Sequence, residues 1–185
     1  MRNRRRTVLG SIGAGVLPTA GRLGTPVTDG GFTISSSAFD DGDPISDRHT
    51  CSGADASPPL DFAGVPEQAA ALGLVVDDPD APGGTFTHWL LWNVPADRTA
   101  IPAAVEMEET LDTLGGARQG RNDFGSVGYR GPCPPEGDGP HTYRFRGFAL
   151  ESTLEVAPGA TRETVLDALE SHALASDALT GTYER

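Results

Sequence analysis

The chain has 185 residues, 37% of them hydrophobic, with 24 glycines and 15 prolines. Its length suits one domain, and glycine and proline at that density exclude long uninterrupted helices. All 14 basic residues are arginine; setting aside Arg2, Arg4, Arg5 and Arg6 leaves 10 against 26 acidic residues, a formal charge of −16 that argues against nucleic acid as a partner. So acidic a surface repels itself unless salt screens it, and together with the absence of lysine it reads as adaptation to concentrated salt.

The N-terminus runs Asn3-Arg4-Arg5-Arg6-Thr7-Val8-Leu9 into a short apolar stretch ending near Leu17, followed by Pro18-Thr19-Ala20. That order of basic, apolar and small residues is the pattern of a twin-arginine signal peptide, here residues 1–20, with a flexible segment over 21–31. The apolar stretch is too short to span a bilayer, no later run is longer, and no cysteine follows it as a lipid attachment point. The expected product is exported, extracellular or associated with the cell surface, without stable membrane insertion.

From Phe32 the residues alternate as Phe32-Thr33-Ile34-Ser35, which predicts a short strand, and a polar acidic loop follows to Thr50. Ala70 to Val76 is a continuous apolar run and predicts a buried strand, broken by the prolines and glycines of Asp78-Pro79-Asp80-Ala81-Pro82-Gly83-Gly84. His88 to Val94 is apolar on both faces and suits a central strand closed by Pro95; Tyr143 to Leu150 is similar. Only Arg162 to Leu174 has helical spacing, with Val165, Leu166, Leu169 and Ala173 on one face and Thr161 placed to cap its start. The predicted class is mostly β with a C-terminal helix.

Three groups of residues stand out: Cys51-Ser52-Gly53 with Ser57-Pro58-Pro59-Leu60; Asp78-Pro79-Asp80-Ala81-Pro82 with His88-Trp89; and Gly131-Pro132-Cys133-Pro134-Pro135 with His141-Thr142-Tyr143. In this order they resemble the bacterial and archaeal branch of the phosphatidylethanolamine-binding protein, or Raf kinase inhibitor-like, family, over residues 32–185. The resemblance implies an antiparallel β-sandwich in which the Asp-Pro-Asp and Gly-Pro-Cys-Pro-Pro loops meet at the mouth of a small pocket for phosphate-like anions. Carried over by position, the ligand-binding residues are Asp78, Pro82, His88, Pro135, His141 and Tyr143, with Trp89 supporting from behind and Gly131 allowing close backbone approach. Thr142 stands where many relatives carry arginine.

These residue types suit anion capture. Two imidazoles donate hydrogen bonds and can be charged, a tyrosine adds a directed donor, and Asp78 facing a histidine would hold it as imidazolium. Pro79, Pro82, Pro134 and Pro135 stiffen both loops before a ligand arrives. His49 and His172 are left as surface or helix residues. Cys51 and Cys133 fall in loops that the resemblance puts near the mouth; they form either a disulfide, favoured by an exported location, or two buried thiols.

The expected function is a binding module for a small phosphorylated molecule or anion, acting as a regulator or inhibitor of a partner; a homodimer is a weaker expectation from the same resemblance. No catalytic residue, cofactor or metal is assigned. The alternative is a hydrolase using a His/Asp pair in the same pocket, with water or Ser57 as nucleophile, although no Gly-x-Ser-x-Gly elbow is present. A third reading, a metal site from Asp78, Asp80, His88 and His141, lacks close-paired spacing such as His-Glu-x-x-His.

Overall fold

The computed structural model describes residues 31–185. The expected signal segment and all but the last residue of the segment after it lie outside the described residues. The strands are β1 (Thr33–Ser35), β2 (Leu60–Ala63), β3 (Ala71–Asp78), β4 (Phe86–Pro95), β5 (Ala100–Ile101), β6 (Thr110–Leu111), β7 (Ala117–Gln119) and β8 (His141–Leu150). Helix α1 (Arg162–His172) follows, and β9 (Ala173–Tyr183) closes the order.

All strand pairs are antiparallel and form two sheets, β1-β2-β5 and β6-β7-β4-β3-β8-β9. Phe32, Ile34 and Phe62 from the small sheet pack on Leu72, Leu74, Trp89 and Phe145 of the large one. On the other face, Ala71, Val75, Leu90 and Trp92 are covered by Val165 and Leu169 of α1. β3 is therefore buried at every position, which is why its sequence is a continuous apolar run rather than an alternating one.

The sandwich and the one α-helix among the described residues agree with the sequence reading, but that helix stops at His172, and Ala173 and Leu174, expected to extend it, begin a strand. β9 pairs with β8 from Leu150↔Ala173 to His141↔Tyr183, a long edge strand that residue type does not announce. Thr161 occupies the N-cap position, yet its hydroxyl lies 3.5 Å from that of Thr164 and caps no backbone N–H.

A β-bulge in β4 matters for the site. Asp78 pairs with Phe86 and Val76 with Trp89, so two steps along β3 face three along β4. The extra residue keeps Trp89 in the core between the sheets and puts His88 at the sheet's end beside Phe86.

α1 is held by few large side chains, and Gly73 leaves the gap into which Leu169 fits, since a Cβ there would collide with the leucine. Leu169→Ala is expected to lower stability by about 2–5 kcal/mol, read as a lower denaturant midpoint at unchanged slope.

Candidate functional site

Because β3 ends where its antiparallel neighbours begin, Asp78 at the end of β3, Phe86 and His88 at the start of β4, and His141 and Tyr143 at the start of β8 share one edge of the sheet. They line a cavity of about 290 Å³ with Ala81, Pro82, Phe124, Cys133, Pro134 and Pro135. Its floor is polar and its walls are mostly apolar. Six of the eight sequence-predicted positions, Asp78, Pro82, His88, Pro135, His141 and Tyr143, lie in this lining.

Trp89 and Gly131 do not. Trp89 is fully buried in the core between the sheets, where its indole N–H donates to Gln119 Oε1. Gly131 is needed for a different close approach: a Cβ there would collide with the carbonyl of His49, while its N–H donates to Asp55 Oδ1 at 2.6 Å. His49, expected at the surface or in a helix, ends a 3-10 turn and is buried, its Nδ1–H donating to Ala56 O at 2.8 Å. His172 ends α1, as read.

Asp78 is 3% exposed and uses both oxygens. Oδ1 accepts from the N–H of Asp80 at 2.8 Å, closing the Asp-Pro-Asp turn, and Oδ2 accepts from His141 Nδ1–H at 2.8 Å. His141 Nε2 lies 3.3 Å from Asp138 Oδ2, so each ring nitrogen faces a carboxylate and both need a proton. The hydrogen bond to Asp78 is the main cause that raises the His141 pKa above its ordinary 6.5.

His88 is the opposite case. Burial holds its pKa below the ordinary 6.5, only partly offset by the hydrogen bond to Arg130. Nδ1–H donates to Arg130 O at 2.7 Å, so the neutral ring carries its lone pair on Nε2. In place of the expected pair of imidazoliums, the flanking carboxylates favour the charged form of His141 while burial favours the neutral form of His88. Tyr143 is fully buried, and burial together with the Asp78 carboxylate keeps its hydroxyl protonated. That hydroxyl lies beside the carboxylate but completes no hydrogen bond of good geometry among the described residues.

The wall contains residues that sequence reasoning did not select. Phe86 is two positions before His88, and that spacing alone could have flagged it; its ring meets Phe124 edge-on at 4.8 Å. Phe124 is 42% exposed, beneath the Arg130 guanidinium, and nothing local in its sequence marks it. A disulfide joins Cys51 to Cys133, with Cα atoms 5.4 Å apart, and ties the Pro134-Pro135 wall to the loop at Ser52. Arg185 Nε donates to Pro134 O at 3.1 Å and holds the same wall from the C-terminal side.

The other chemical readings can be placed as well. Ser57 is buried away from the cavity and its hydroxyl accepts from Val105 N–H at 3.0 Å. Asp80 Oδ2 accepts from Thr142 N–H at 2.8 Å and does not join the lining. Among the described residues no group of three or more His, Cys, Asp or Glu is placed to hold a metal ion, and no helix is long and apolar enough to cross a membrane.

Residues 35–184 match the family model described as phosphatidylethanolamine-binding protein. The chain belongs to this family. A UPF0098 protein of Pyrococcus abyssi is 46% identical over 153 residues, covering 81% of this chain and 84% of that protein. A Mycobacterium tuberculosis protein named as a lipoprotein, LppC, is 40% identical over 153 residues, covering 83% and 72%. Among solved structures, Escherichia coli YbcL, described as a member of the mammalian PEBP family, superposes with a TM-score of 0.78 at 35% identity and covers 83% of this chain and 98% of its own. A Chlamydia trachomatis homologue of phosphatidylethanolamine-binding protein gives 0.74 at 36% identity, covering 83% and 97%.

Two measurements follow from this geometry. Histidine NMR titration is expected to place His141 above and His88 below the ordinary 6.5, with Asp78→Asn bringing His141 down. A histidine whose pKa rises on folding stabilises the fold fully below its unfolded value and loses that contribution as pH rises through the folded one. Asp78→Asn should therefore destabilise more at about pH 5 than at about pH 9; an equal loss at both would show that the ion pair is not formed. Replacing both cysteines by serine opens a bridge between residues 82 apart. By loop-closure entropy that should cost about 4 kcal/mol in a denaturant melt.

Proposed function

We propose that the cavity is a binding site for a monoanionic phosphate that keeps a P–OH, either a singly protonated phosphate monoester on a compact apolar group or dihydrogen phosphate. The observation that carries this reading is the Tyr143 hydroxyl: a buried donor in the cavity lining that lies beside the Asp78 carboxylate but completes no hydrogen bond of good geometry among the described residues. Leaving such a group unsatisfied costs about 1–3 kcal/mol, which a ligand oxygen would recover.

The protonation pattern specifies the rest. His141, set between Asp78 and Asp138, offsets the charge of the carboxylate that lines the cavity, Tyr143 donates to an anionic oxygen, and the neutral His88 Nε2 accepts from a P–OH. A second imidazolium would favour the dianion instead. The apolar wall, Pro82, Phe86, Phe124, Pro134 and Pro135, would cover the group that carries the phosphate. Whether capture serves to regulate a partner is a further step of the same proposal. Export fits the disulfide, since such bonds persist outside the cytoplasm.

Binding is favoured over hydrolysis because the His/Asp pair offers no base: both His141 nitrogens face carboxylates and hold their protons. Ser57 is out of reach, and Cys133, the thiol-bearing residue type in the lining, is committed to the disulfide.

The test is calorimetric titration with inorganic phosphate and phosphoethanolamine in molar KCl. Affinity should be higher at about pH 6 than at about pH 8, as the ligand passes from monoanion to dianion, and Tyr143→Phe should weaken it roughly tenfold. Affinity that is unchanged by pH and by Tyr143→Phe would remove the proposal.

A further inference from the structure

A second cluster of polar groups lies on the opposite face of the large sheet. Asp77 is fully buried and points away from Asp78, and three guanidinium groups converge on it. Arg144 Nε donates to Oδ1 at 2.9 Å, Arg146 Nη2 to Oδ2 at 3.1 Å and Arg162 Nη2 to Oδ2 at 3.2 Å. The arginine side chains keep 36%, 21% and 31% exposure, against none for the carboxylate. Solvent therefore reaches the cations and not their shared anion.

The charges do not balance within the cluster. Three positive groups meet one buried carboxylate, and the other acidic partner is Glu170, 57% exposed and 3.7 Å from Arg146 Nη1. Asp123 and Asp41 bond to the cross-strand partners of Asp77 and Arg144 and not to a guanidinium: Asp123 accepts from Thr87 N–H at 2.6 Å and Asp41 from the Thr180 hydroxyl at 2.7 Å. The Nε atoms of Arg146 and Arg162 and the hydroxyl of Thr87 are buried without a hydrogen-bond partner among the described residues. Thr87 and Arg144 are the two cross-strand partners of Asp77, so they share its face. Such an excess stands out in a chain whose overall charge is −12.

Asp77 alone cannot use so many donors. A carboxylate has about four acceptor positions, and three are occupied here, while three guanidiniums carry about fifteen N–H groups. Guanidiniums in this number are the usual means of gripping a tetrahedral oxyanion, because their paired donors match its oxygens. The first residue of α1 is Arg162, and with no side chain capping that terminus the helix adds a positive end nearby.

We propose that Arg144, Arg146 and Arg162 form a second oxyanion site, back to back with the cavity, for the fully ionised phosphate or sulfate group of a small molecule. It differs from the cavity in what it selects. The arginines are charged at every working pH and offer donors only, so a dianion is preferred, and sulfate, which has no proton to give His88, serves as well as phosphate.

The experiment follows the arginine Nε–H signals by NMR while inorganic sulfate or inorganic phosphate is added, at about pH 8. Saturable shifts of Arg144, Arg146 and Arg162 are expected with both anions. They should persist when the cavity is disabled by Tyr143→Phe with His141→Ala, and Arg162→Gln should weaken the response at least about tenfold. Arg146→Gln is the second variant if Arg162→Gln does not fold. Shifts that rise linearly with anion, that ignore both arginine variants, or that vanish in the cavity variant would overturn the site. Because the cavity has its own variant, loss of one site leaves the other measurable.

Discussion

The pairing of Asp78 with His141 holds the mouth of this protein together. Both side chains are almost fully buried, and a buried carboxylate is tolerable only with charge or donors around it. Asp78 finds one partner in the neighbouring strand and the other in its own turn, so one side chain fixes the β8 imidazole and the Asp-Pro-Asp loop together. The rest of the cavity is arranged around that point. Tyr143 is two residues along β8 from His141 and has the same facing, and its own proton is retained because it is buried and the same carboxylate lies beside it.

Two consecutive residues therefore do opposite things. A strand alternates its side chains, so Asp77 and Asp78 leave β3 on opposite faces, one into an arginine cluster and one into an imidazole. Each buried charge is compensated, but by different chemistry. Guanidinium stays charged, whereas imidazole responds to pH and gives the cavity side a proton-dependent character. The difference between His88 and His141 has the same origin: one is buried against a carbonyl, the other is flanked by carboxylates.

Much of the architecture was legible because strong local signals coincided with tertiary demands. The run from Ala70 to Val76 is apolar throughout since both faces of β3 are covered, and the prolines after Asp78 could only end it. β9 was not legible. Its Ala173-Leu174-Ala175-Ser176-Asp177 start has no β-branched residue, and it is a strand because ten positions of β8 pair with it. Trp89, expected to support the site from behind, stands outside the lining: the bulge pairs it with Val76 and sets it in the core between the sheets, in the same cluster as Tyr143. Gly131, expected to allow a close backbone approach, makes one to the carbonyl of His49, 82 positions away in the chain, a neighbour that its own segment does not reveal.

By itself the sequence determined the class of fold, the family, and six of the residues that line the cavity, because those properties are written in short motifs whose residue types have few alternative uses. Tertiary structure alone decided which histidine is flanked by carboxylates, that the Tyr143 hydroxyl completes no hydrogen bond among the described residues, that Phe86 and Phe124 form the wall, and that three arginines share Asp77. Protonation and pairing depend on burial and on distances between strands far apart in sequence, and neither quantity is carried by a residue's type or by its neighbours in the chain.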